Sequence, residues 1–299
     1  MVVGTLLGAC GRGESIPAGP PGGRGAAEAP ETPAGEGSGE QATSVSASAD
    51  SSPEAAAITQ LVRALTPPDL TWTSDRLDAR FHAGRELLGR LKQGDPELGR
   101  EALRRLLADN PEEITVRNGL LEVGAHSAPV DARPLLDQLV LEYGHRMSDR
   151  TEAVRLLAET SPARAEEILG PLLRQERLRQ TMPDQEFLLA GWLTACERTG
   201  TDPVEVLATV AGNIFMQDAA RHRAVQELGE HPGTLSRATL EAVLVESTGN
   251  GYLRRKAAQA LASSLPAETA CSIFKEVAEK EADRNMLIFL LNILEEVCG

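Results

Sequence analysis

Aromatic residues are scarce in this chain: five Phe, two Tyr and two Trp make up 3% of 299 residues. A core with so few rings must be filled by Leu, Ala, Val and Ile, which suits close-packed helices and suits a β-sandwich poorly. Lysine is nearly missing too. Four Lys stand beside 26 Arg, and against 44 acidic residues the net charge is −14. That balance lacks the cation surplus needed to neutralise phosphates, which excludes a general nucleic-acid binder. It equally disfavours a broad footprint on an anionic membrane. No apolar run reaches the roughly 18 residues of a spanning helix. The longest, MLIFLLNIL near the C-terminus, reads as a buried helix.

Catalytic signatures are missing as well. There is no GxxxxGK[ST] phosphate cradle, no HExxH and no GxSxG. Cys10, Cys196, Cys271 and Cys298 form no CxxC, so neither a zinc ribbon nor a thioredoxin-type pair is indicated. Cys196 and Cys271 lie in apolar helical text and read as inert buried thiols. Cys298 reads as simply exposed. His82, His126, His145, His222 and His231 are each followed by a residue other than Glu. They read as surface or loop histidines. Glu276, Glu279, Glu281 and Asp283 interleave with Lys275 and Lys280, as a hydrated helix face does. The expectation is therefore a non-enzyme with no metal and no cofactor.

What the chain does have is helical periodicity. From Pro53 onward, apolar residues recur at helical spacing between breakers such as QGDP (93–96), HSAP (126–129), TSP (160–162), TGTDP (199–203) and HPG (231–233). About fourteen helices fit between them, with Pro171 predicting a kink. DRTEAVRLLAE, RHRAVQELGE and RRKAAQALAS share one pattern. Anchored on a small or apolar residue, it recurs at Ala83, Gly119, Ala153, Leu189, Ala224, Ala257 and about Leu287. A Leu-spaced second helix lies between successive anchors. A two-helix unit with a period in the thirties predicts an all-α α-solenoid of about seven antiparallel helix pairs.

RRKAAQALASSLPAETACSIFKEVAEKEADRN resembles a HEAT-type repeat of the short, phycobilisome-lyase-like variety. The resemblance is good over 218–298, fair over 111–177 and weak elsewhere in the body. It implies a superhelical fold and no chemistry. The His-Glu pairs of the iron-binding HEAT-like hydroxylases are absent.

The opening is of another kind. Leu7-Gly8-Ala9-Cys10 resembles a bacterial lipobox, whose cysteine becomes a lipidated N-terminus. Only nine residues precede Cys10 and none is Lys or Arg, so either the true start lies upstream or the match is a coincidence. Residues 11–52 are rich in Gly, Pro, Ala, Ser and Glu and cannot bury a core. They read as a disordered tether. The organisation expected is thus a truncated signal segment (1–10), a linker (11–52) and a helical repeat domain (53–299).

Arg150, Arg221, Arg223, Arg254, Arg255 and Arg284 recur at the starts of the first helices, with Asp149, Asp218 and Asp283 nearby. Two readings stand: an inter-repeat ladder, or a basic stripe that receives an acidic partner. Trp72 is placed as a cap over the first repeat and Trp192 in the core. Taken together, the chain reads as a protein- or peptide-binding scaffold in the bacterial cell envelope, touching the membrane only through a lipid on Cys10. The alternatives are a cytoplasmic adaptor and a lyase-like enzyme using Cys196 or Cys271.

Overall fold

The computed structural model describes residues 52–66, 74–142, 145–175, 185–246 and 251–299. Cys10, the linker through residue 51 and Trp72 lie outside the described residues. Fourteen α-helices and no strand occur among them: α1 (Pro53–Leu65), α2 (Ser74–Leu91), α3 (Pro96–Asp109), α4 (Ile114–Ser127), α5 (Pro129–Leu141), α6 (Met147–Thr160) and α7 (Pro162–Leu173). They continue with α8 (Gln185–Thr199), α9 (Val204–Gly212), α10 (Asp218–Glu230), α11 (Thr234–Val245), α12 (Gly251–Ser264), α13 (Ala267–Lys280) and α14 (Arg284–Cys298).

The breakers act as helix starts. Pro53, Pro96, Pro129 and Pro162 occupy the first turns of α1, α3, α5 and α7, where a missing N–H costs nothing. Ser52 and Asp95 cap α1 and α3 by accepting from the amides of Ala55 (3.1 Å) and Leu98 (3.0 Å). Ala128 and Ser161 each end one helix and begin the next, so α4–α5 and α6–α7 turn within a single residue. Pro171, where a kink is expected, lies inside α7. Pro171 falls in the last turn of α7, which stops at Leu173.

Even-numbered helices from α2 to α14 pack successively in one layer. The odd-numbered helices form the other, with α1 on α3, α3 on α5, α7 on α9 and α9 on α11. Within each pair from α1–α2 to α13–α14 the two helices pack as a hairpin, and the whole is an α-solenoid of seven pairs. All the sequence anchors fall on the even layer. Ala153, Leu189, Ala224 and Ala257 are fully buried there. The register is one residue off at both ends: Ala83 is exposed while Gly84 is buried, and Met286 rather than half-buried Leu287 enters the core. Close approach explains the small residues. A Cβ on Gly119 would overlap Leu65, and one on Gly99 would lie 2.7 Å from the Ala128 amide.

Buried side chains of α1–α4 form a first cluster around Ile58, Leu61 and Leu120. A second runs from α3 to α14 and takes in Trp192, which is 3% exposed as the helix pattern implies. The cysteine reading needs correction. Cys271 is not a free buried thiol and Cys298 is not merely exposed: the two are disulfide-bonded, with Cα atoms 5.9 Å apart. Twenty-seven residues separate them, the distance out along α13 and back along α14. Only the antiparallel hairpin makes them neighbours.

Candidate functional site

One edge of the solenoid, where odd helices end and even helices begin, carries a row of arginines. A helix end leaves carbonyls without intrahelical donors and a partial negative charge, which a guanidinium satisfies on both counts. Arg80 donates to the carbonyls of Arg63 and Ala64 at the end of α1. Arg150 Nη2 donates to Val140 (3.0 Å), Arg221 Nε to Ala211 (3.0 Å) and Arg254 Nε to Leu244 (2.7 Å). Arg117 Nη1 donates to Pro111 at 2.9 Å. Three of these arginines also hold a carboxylate. Arg117 Nη2 pairs with Asp149 Oδ1 (2.9 Å), Arg221 Nη2 with Glu246 Oε2 (2.5 Å), and Arg254 with Glu281. Burial works against the Glu281 charge, but Arg254 and the Asp283 amide outweigh it and hold the carboxyl below its usual range.

The six arginines singled out in the sequence therefore separate. Arg150, Arg221 and Arg254 are clamps turned inward. Arg223 pairs with Glu227 one turn along its own helix (3.7 Å), Arg255 lies 5.8 Å from the Phe289 ring, and Arg284 is exposed on α14. The acidic partners also differ. Asp149 serves Arg117 rather than Arg150, and Asp283 caps α14, accepting from the amides of Asn285 and Met286. Arg117 was missed although it stands 33 residues before Arg150, the same step as from Arg221 to Arg254. A second charged network was also missed. Glu122 of α4 joins Lys92 (2.6 Å) and Arg155 of α6 (3.4 Å), and Glu159 binds Arg155 (2.7 Å).

Outside the clamps the same edge exposes apolar side chains repeat after repeat: Ile114; Leu141 and Met147; Phe187; Ile214 and Phe215; Val245 and Tyr252. Tyr252 is 54% exposed, with His222 edge-on at 4.7 Å and the Lys256 ammonium 5.6 Å from its ring centre. Burial, the larger influence, lowers the His222 pKa, although Asp218 opposes it.

The row runs into a cleft of about 1120 Å³ between α11 and α13. These two odd helices lack the packed seam that α9 and α11 share. Ala238, Ala242, Val245, Ile273, Val277 and Met286 form its apolar lining. Its rims carry the pairs Arg237–Glu241 (2.6 Å) and Lys280–Glu276 (2.8 Å). A second cavity, of about 880 Å³, lies where the α8–α9 and α10–α11 turns meet and is walled in part by Cys196. Burial, with the Glu166 charge, pushes that thiol up to about 12, so it is protonated and a poor nucleophile at neutral pH. Among the described residues no cluster of His, Cys, Asp or Glu is arranged to hold a metal ion, and no helix is long and apolar enough to cross a membrane.

No family model matches the chain, and no curated protein does. Among solved structures the chain is similar to human deoxyhypusine hydroxylase in complex with glycerol. That likeness has 15% identity and a TM-score of 0.34, and covers 80% of this chain and 96% of the other. At those values it carries no inference about activity.

Proposed function

We propose that this chain is a non-catalytic, HEAT-like scaffold that binds a protein or peptide, held at the bacterial cell envelope by a lipid on Cys10. The observation that carries the binding role is the row of exposed apolar side chains along one edge, continuous with the α11–α13 cleft. Apolar surface exposed at one place in successive repeats is what a partner surface buries. The cleft adds paired charges on both rims around an apolar lining, the anatomy of a helix- or peptide-receiving groove.

The envelope location draws support from the Cys271–Cys298 disulfide, since such bonds persist in oxidising compartments. It also resolves the odd count of thiols behind Cys10: two are paired, and Cys196 is buried. Neither Cys271 nor Cys196 favours the lyase-like alternative, the first being bonded to Cys298 and the second held protonated.

Two measurements test this reading. Intact mass of the chain extracted from native membranes should show cleavage before Cys10 plus acyl chains, lost in Cys10→Ala. An uncleaved chain with an unmodified Cys10 would move the protein to the cytoplasm. Photo-crosslinkers placed at Phe215 and Tyr252 in cells should give the same discrete adduct, while one at His231 on the opposite edge should not. Equal labelling from all three positions would remove the edge as the binding surface.

A further inference from the structure

The last helix of the stack leaves one face uncovered. In the even layer each interior helix packs on the one before and the one after, but α14 has α12 on one side only and α13 beside it. Met286, Leu290 and Ile293 point inward. Away from them, Arg284, Ile288, Leu291 and Glu295 form a single stripe, four, three and four residues apart, the spacing of a helix–helix seam. Ile288 is 49% and Leu291 52% exposed. Arg284 and Glu295 are both exposed.

The stripe is complementary to itself. When two such helices pack antiparallel about a two-fold axis midway between Phe289 and Leu290, Ile288 of one falls opposite Leu291 of the other. In the same register Arg284 falls opposite Glu295 at both ends. A two-fold contact requires this of any surface that meets its own copy, in apolar residues and in charge together. The Cys271–Cys298 bond ties the far end of α14 to α13, so the face is presented on a fixed helix.

We propose that two copies of this chain associate end to end through α14, with Ile288 against Leu291 and Arg284 against Glu295. The contact is one helix pair, small among specific interfaces, and each copy carries −14, so the dimer is weak, with a Kd of roughly 10 μM. This association is independent of any lipid on Cys10.

Sedimentation velocity on the full chain, with Cys10→Ser to prevent a chance intermolecular disulfide, tests it. The parent should pass from monomer to dimer as concentration rises. Leu291→Glu should stay monomeric throughout, with circular dichroism and Tm unchanged because the side chain is half in solvent. Arg284→Glu and Glu295→Arg should each weaken association about tenfold by setting like charges opposite one another. The double exchange should return the Kd to within about threefold of the parent by restoring the pair in reverse. A parent that stays monomeric, a Leu291→Glu chain that still dimerises, or a double exchange that recovers nothing would each overturn the proposal.

Discussion

Arg221 stands between the ends of two successive odd helices: its Nε donates to the Ala211 carbonyl at the end of α9, and its Nη2 holds Glu246 just past the end of α11. Arg221 as a whole is 5% exposed, and its guanidinium serves as a helix cap, a counter-ion and a spacer in one group. Arg254 repeats the arrangement one step along, between Leu244 and Glu281.

Replacing Arg221 by Met should therefore cost about 2–4 kcal/mol, since the Ala211 carbonyl and the Glu246 carboxylate both lose a guanidinium partner at a largely buried position. Arg223→Gln, two residues away but paired only along its own helix, should cost about 0.5 kcal/mol or less. Urea unfolding of the two variants side by side measures the difference. Similar losses from both would return the arginines to a single class.

The disulfide should make the terminal hairpin the redox-sensitive part of the fold. Closing 27 residues with a cross-link contributes roughly 3 kcal/mol on the chain-entropy account. Cys271→Ser should then lower the unfolding midpoint by about that amount. In amide hydrogen exchange, α13 and α14 should lose protection while α4–α8 keep theirs. Alkylation of the unreduced, denatured chain should spare Cys271 and Cys298 and mark Cys196.

Cys196 should resist thiol reagents in the native state. With burial pushing its pKa up to about 12, the thiolate is scarce across the neutral range. Labelling should follow urea-induced unfolding instead of pH between 6 and 9. Rapid native labelling at pH 7 would reopen thiol chemistry at the α8–α10 cavity.

Two glycines should respond oppositely to alanine. At Gly99 a Cβ would meet the backbone of Ala128 at 2.7 Å, and overpacking there should cost about 1–3 kcal/mol. At Gly89, within α2, a Cβ meets nothing within 4 Å, so the better helix former should add about 0.5–1 kcal/mol. Thermal unfolding reads both.

Acid should loosen the last repeat through Glu281. Its carboxyl is held below the ordinary 4.5, so its contribution is complete above that value and is lost as the pH falls through the lower folded-state pKa. Glu281→Gln should flatten the stability curve below pH 4.5, with little further change from 5 to 8. Unfolding curves from pH 3 to 7 test the sign. A variant that gains stability toward neutral pH as steeply as the parent would dismiss the pair.

Periodicity made the helices legible. Apolar spacing and N1 prolines mark where each helix runs and starts, and the alternation of anchored and Leu-spaced helices gives the two layers. The clamps were only half legible. The recurrence of Arg150, Arg221 and Arg254 is visible in the text. That they cap the helix before them is not, because a carbonyl acceptor leaves no residue type to read. Arg223 and Arg255 sit within a residue or two of true clamps and differ only in the side of the helix they occupy.

The sequence by itself determined the class of fold: a local, 3.6-residue pattern writes each helix, and a period in the thirties dictates that like helices stack. It also set the acidic balance and the scarcity of aromatics that narrow the choice of partners. Tertiary structure alone decided which of two adjacent arginines turns to cap the preceding helix, that Cys271 meets Cys298, and that α11 and α13 stand apart to leave a cleft. Each of these depends on the rotation and approach of one helix against another, fixed by side-chain packing between segments tens of residues apart.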